Sequence, residues 1–237
     1  YTLMRKTCIY LSLIIAGFIY PAQLHSAPRL SIIAVIDGFT TEDLNMLRPF
    51  WQQGGLRTMS EEAYQTTIAF PHLVFGGNET TATLMTGVTP NKHGYSMDKY
   101  YNRRDRKIHT MLEDKESQGI GTTLCLSPKA LLNRTISDKM RLMHPNAKIY
   151  AIGIHPETTI LLAGHTANAC CWINKETKEW VTTTAYSEGL PSAAYEQNKN
   201  KRIAIATEKQ WTPRMDIPAY TKPTEQEKKK SFAYSIN

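Results

Sequence analysis

The first long apolar stretch, Cys8 to Tyr20, follows the cationic start Met4-Arg5-Lys6 and gives way to Pro21-Ala22-Gln23-Leu24-His25-Ser26. A charged start, a short apolar middle and a small, turn-forming exit are the three regions of a secretory signal, and the run is short for a bilayer span. Residues 1–26 are therefore expected to leave on export near Ser26 or Ala27, with Tyr1 to Leu3 as read-through ahead of Met4. A retained N-terminal anchor is the alternative. The destination is periplasmic or secreted, with no membrane attachment once the signal is cleaved.

The rhythm then changes. Leu30-Ser31-Ile32-Ile33-Ala34-Val35-Ile36 is continuously apolar and β-branched, which predicts a strand buried on both faces, as in a parallel sheet. Asp37-Gly38-Phe39 follows at once. Thr40 or Thr41 then caps a helix through Glu42 to Trp51, with acids in its first turn and Gly54-Gly55 as its stop. Ligands gather at the carboxyl ends of strands in such sheets, so Asp37 sits where chemistry usually occurs.

Gly76-Gly77-Asn78-Glu79-Thr80-Thr81 predicts a loop entering a helix near residue 79, whose free N–H groups suit an anion. Val88 to Gly94 ends that helix. Residues 98–126 are polar and aperiodic, a surface excursion. Ser127-Pro128 opens a further helix carrying Leu131, Leu132, Ile136, Met140 and Met143 on one face. Ala147 to Ile154 reads as a strand, and Trp172-Ile173-Asn174 with Glu179 to Thr183 as a hairpin. From Glu196 onward the chain is polar and lysine-rich, with no closing helix or strand expected. Alternating units of this kind predict an α/β fold, a three-layer sandwich around a mostly parallel sheet.

Composition narrows the function. A chain of 237 residues that is 41% hydrophobic and 21% charged buries a real core, which excludes disordered and fibrous classes. The formal charge of +7 shrinks to 26 bases against 21 acids once Arg5 and Lys6 leave with the signal. That excess is spread along the chain rather than gathered with aromatics, so nucleic acid is not an expected partner. Cys125, Cys170 and Cys171 are too few for a disulfide framework and lack zinc spacing; the vicinal pair reads as small buried apolar residues.

Three motifs in order, Asp37-Gly38-Phe39, Thr86-Gly87-Val88-Thr89-Pro90-Asn91-Lys92-His93-Gly94 and Leu162-Ala163-Gly164-His165, resemble the alkaline phosphatase superfamily. Within it the likeness is to type I phosphodiesterases/nucleotide pyrophosphatases and the related periplasmic phosphatases, over about residues 30–237. The aromatic stretch Trp172 to Trp180, Tyr186, Leu190-Pro191 and Trp211-Thr212-Pro213 continues it. The resemblance implies an exported hydrolase of small phosphate esters, with two zinc ions as cofactor, Asp37 as a zinc ligand and a Thr or Ser nucleophile at a helix start. His93 and His165 are expected as structural loop residues.

The departures are equally specific. Nine positions before Thr86, where the family places its nucleophile, stands Gly77, which has no hydroxyl. Either a small shift gives the role to Thr80 or Thr81, or covalent catalysis is lost. Where the monoesterase branch carries a Lys and an Arg, this chain has His155 and Glu157, and Asp98 replaces an Asn. A carboxylate there repels a dianionic monoester. Asn78, Asp98 and His155 are the candidate substrate-facing residues. The later Asp-x-x-x-His and Asp-His patterns do not occur before Asn237, so residues 27–237 are expected to be the N-terminal part of a catalytic domain, incomplete at the C-terminus and inactive alone. Residues 98–126 and 166–237 would be peripheral or cap-like. The alternative is an inactive member of the superfamily acting as a binding or surface protein.

Overall fold

A computed structural model describes residues 29–36, 38–73, 77–211 and 234–235. The chain divides into two compact units, Tyr1–Thr67 and Ile68–Asn237.

In the first unit, helix α1 (Thr41–Leu47) starts at Thr40, whose hydroxyl accepts from the Asp43 N–H while the Asp43 carboxylate accepts from the Thr40 N–H. This reciprocal capping box selects Thr40 over Thr41 as the cap. Pro49 cannot continue the ladder, and the chain tightens into a 3-10 turn at Arg48–Phe50. The helix expected to reach Trp51 is therefore shorter. Helix α2 (Gly55–Glu62) carries the Arg57–Glu61 pair at 2.9 Å, and the Arg48 guanidinium donates to the Ser60 carbonyl. The strand expected over Leu30–Ile36 is not formed: these residues have no regular structure and are exposed, Ile32 to 80%. A strand apolar on both faces needs neighbours on both edges, and no described strand of this unit pairs with it.

In the second unit come α3 (Asn78–Thr86), α4 (Pro90–His93), the antiparallel hairpin β1 (Lys99–Asn102) and β2 (Lys107–Thr110), then β3 (Gly119–Ile120). The single helix expected from Ser127 resolves into a 3-10 turn at Pro128–Ala130 and α5 (Ile136–Met143), because Thr135 and Asp138 form their own capping box. Then follow β4 (Tyr150–Gly153), α6 (Pro156–Ala163), β5 (Ala169–Asn174) and β6 (Glu179–Thr183). Two short helices, α7 (Ser192–Lys199) and α8 (Arg202–Thr207), occupy a stretch where no regular element was expected, and β7 (Gln210–Trp211) pairs with β8 (Tyr234–Ser235).

The main sheet has the order β3-β6-β5-β4. The mixed α/β class is present, but among the described strands only β4–β5 is parallel; β5–β6 and β3–β6 are antiparallel. The parallel pair requires a crossover, which α6 supplies. Ile160, Leu161, Trp172 and Val181 are essentially fully buried between α6, α3 and the sheet. Each contributes roughly 1.5–3 kcal/mol of transfer free energy. Gly153 permits the close return of α6: a Cβ there would lie 2.2 Å from the Thr159 hydroxyl. The connection is so short that the start of α6 stands at the carboxyl end of β4.

Candidate functional site

Two helix starts meet in the second unit. Gly77, with φ +94°, caps α3 in a conformation that favours glycine, and His155 caps α6 with Pro156 at the first helical position. The Asn78 amide joins them: its oxygen accepts from the Thr158 hydroxyl at 2.7 Å and its nitrogen donates to Asp98 Oδ1 at 2.9 Å. The same carboxylate oxygen accepts from the Tyr95 hydroxyl at 2.6 Å. Tyr95 is fully buried, and its hydroxyl is held far from ionising, first by burial, then by the bond to Asp98 and by the charges of Asp98, Glu157 and Glu79. It therefore remains a donor. Glu79 and Glu157 lie in the first turns of α3 and α6, where the helix dipole favours negative charge. Three carboxylates thus act together on the Tyr95 hydroxyl, near two helix starts that would otherwise favour an anion.

The sequence candidates fall unevenly on this geometry. Asn78 and Asp98 are bonded to each other. His155 caps the neighbouring helix with its side chain exposed, and its ring makes no hydrogen bond among the described residues. The Thr80 hydroxyl oxygen is enclosed and has no partner among the described residues. Thr81 is buried, and its hydroxyl donates back to the Gly77 carbonyl at 3.4 Å. Asp37 lies outside the described residues. Sequence reading missed Thr158 and Tyr95; nothing local marks Thr158, eighty residues from its partner.

The motif histidines clip loops. His93 is fully buried; its Nδ1 accepts from the Tyr95 N–H at 3.1 Å, so Nε2 carries the proton and donates to the Thr83 hydroxyl at 3.0 Å. Burial, and then the nearby His72, lower its pKa. This neutral ring ties α3 to the loop leading into Asp98. His165 faces two acceptors, Asp138 Oδ2 and the Leu131 carbonyl, each at 2.8 Å, so both ring nitrogens carry protons. The Asp138 hydrogen bond is the main reason its pKa rises. Burial alone would raise the Asp138 carboxyl, but bonds from His165, Thr135 and Thr166 hold it far below the usual range. Gly164 is obligatory here, because a Cβ would stand 2.2 Å from the Thr135 hydroxyl and φ is +68°.

Among the described residues, no group of three or more His, Cys, Asp or Glu side chains is placed to hold a metal ion. The described donors alone therefore do not complete a metal centre. No described helix is long and apolar enough to cross a membrane.

No family model matches the chain. It is 23% identical over 223 residues to alkaline phosphatase PafA of Elizabethkingia meningoseptica, covering 90% of this chain and 40% of that protein. To alkaline phosphatase PhoV of Synechococcus elongatus it is 25% identical over 210 residues, 85% of this chain and 38% of that one. The crystal structure of wild-type PafA superposes with a TM-score of 0.57 at 25% identity, over 61% of this chain and 29% of the other. The chain spans about two fifths of the length of these curated relatives.

Proposed function

We propose that this chain is a member of the alkaline phosphatase superfamily, as its likeness to PafA and PhoV supports, and that it forms the N-terminal share of an exported, metal-dependent hydrolase of phosphate esters that acts on monoanionic diesters rather than dianionic monoesters. The observation that carries the substrate class is the Thr158–Asn78–Asp98–Tyr95 relay, which fixes one carboxylate at the start of α3 with Glu79 and Glu157 beside it. A unit charge about 6 Å from a carboxylate costs roughly 3 kcal/mol at an effective dielectric of about 20, and solvent at this half-buried site lowers that figure. The second charge of a monoester is the one penalised. Zinc, with Asp37 among its ligands, and export through residues 1–26 belong to the same proposal and rest on the superfamily resemblance.

The test uses the product of the complete reading frame, loaded by zinc titration and assayed on an aryl phosphomonoester beside an aryl phosphodiester. Diester turnover should dominate, and Asp98→Asn should raise the monoester-to-diester ratio about tenfold. An unchanged ratio overturns the substrate assignment while leaving hydrolysis itself intact.

A second reading, a non-catalytic member that binds without turnover, is favoured by Gly77 at the position the resemblance gives to the nucleophile and by the inward-turned hydroxyls of Thr80 and Thr81. Stoichiometric metal binding with no turnover of either ester selects it.

A further inference from the structure

The β1–β2 hairpin uses none of its outward chemistry in the relay. Its register sets Tyr101 opposite Ile108, and these two apolar side chains are 58% and 70% exposed. Lys99 lies on the same face as Tyr101, since side chains alternate along a strand. Arg103, Arg104 and Arg106 form the turn, and Lys107, just beyond it, lies on the opposite face with His109; all four are exposed. None of these five cations is in an ion pair among the described residues. The hairpin's own acid is held: Asp105 Oδ2 lies 2.6 Å from His109 Nε2, whose Nδ1 contacts Glu113 at 2.8 Å. Asp105 and Glu113 are thus engaged by His109 while remaining partly exposed, whereas the guanidinium and ammonium groups are left without a carboxylate partner. Five bases and a single acid fall within residues 99–107, beside this apolar pair.

We propose that this hairpin docks on an anionic phospholipid surface, with Tyr101 and Ile108 at headgroup depth and Lys99 and the three turn arginines on lipid phosphates. The charge complementarity is direct, and an exposed aromatic–aliphatic pair rimmed by Arg and Lys suits the interface between hydrocarbon and headgroups. Single-stranded nucleic acid fits less well. Tyr100, the other aromatic, is stacked on His109 with ring centroids 5.8 Å apart, and Ile108 offers a base no flat face.

Sedimentation of the full chain with phosphatidylcholine vesicles, plain or one-quarter phosphatidylglycerol, tests this at low and high salt. Because residues 4–20 carry their own cations and apolar run, the same series is also run on a reference variant with that run made polar, and the hairpin's effect is read in that background. Binding should require phosphatidylglycerol and weaken with salt. Each cation near such a surface is worth about fivefold, so the triple variant Arg103→Gln/Arg104→Gln/Arg106→Gln should bind about a hundredfold less. Tyr101→Ser/Ile108→Ser should bind about tenfold less with its salt dependence kept, and Tyr101→Trp should be quenched by brominated lipid. Circular dichroism and a thermal melt confirm that each variant folds. Equal binding to both vesicle types, or an unaffected triple variant, overturns the proposal. If Tyr101→Ser/Ile108→Ser binds normally while polyglutamate competes fully, the partner is an acidic macromolecule and the lipid assignment is wrong.

Discussion

Replacing Asp138 by Ala removes a carboxylate that is 2% exposed and accepts from the backbone N–H groups of Thr135, His165 and Thr166, from the Thr135 and Thr166 hydroxyls, and from His165 Nδ1. Breaking one side of a buried ion pair costs roughly 3–5 kcal/mol, and each stranded buried donor adds to that. The His165 side chain is 32% exposed, so water screens part of the loss. The expectation is the lower end, about 3 kcal/mol, read from urea unfolding at neutral pH. The pH dependence is the sharper signature. His165 has a raised folded pKa, so its contribution is complete below the unfolded value of 6.5 and is lost as pH rises through the folded one. Asp138 has a depressed folded pKa, so its contribution is complete above 3.8 and is lost as pH falls towards the folded value. The clip is therefore strongest between about 3.8 and 6.5. His93 works in the opposite sense: buried as a neutral ring, it destabilises the fold as pH falls below 6.5. His165→Asn should remove the loss of stability above pH 6.5 and leave the His93 loss below it in place. An unchanged alkaline slope in His165→Asn, or a His165 imidazole titrating below 6.5 by NMR, would refute the reasoning.

Three further outcomes follow from the geometry. Gly164→Ala should lower stability by more than about 2 kcal/mol, since positive φ and a clash with Thr135 combine, whereas Gly77→Ala, with positive φ but open space at its Cβ, should cost only about 1 kcal/mol in the same melts. Thr80→Val should be neutral or stabilising by up to about 1 kcal/mol, because it replaces an enclosed, unsatisfied hydroxyl by a methyl of similar shape; abolished turnover in the complete protein would instead identify Thr80 as the nucleophile. Of Cys125, Cys170 and Cys171, only Cys125 should react promptly with a thiol reagent at mildly alkaline pH, since burial pushes Cys171 up to about 11 and Cys170 higher still.

What the sequence disclosed, and what it hid, follows the range of the forces involved. The cap at Thr40, the start of α3 beside Gly77, the strand β4 and the β5–β6 hairpin rest on residues a few positions apart, and local chemistry is enough to place them. The loop role of His93 and His165 was legible for the same reason, although their partners Thr83 and Asp138 were not. Leu30–Ile36 shows the converse: its pattern asks for a buried strand, but a strand exists only where another chain segment accepts its hydrogen bonds. The relay at the two helix starts depends on an eighty-residue contact between Asn78 and Thr158, for which one-dimensional periodicity carries no signal. The β1–β2 hairpin escaped for a different reason. Its turn places Arg106 at φ 56° without the Gly or Asn that usually announces such a conformation, so four cations within five residues read as a polar loop. That strained arginine is held because Asp105 binds both the Lys107 N–H and His109, which makes the His109 contacts, rather than turn propensity, the feature that gives the basic tip its shape.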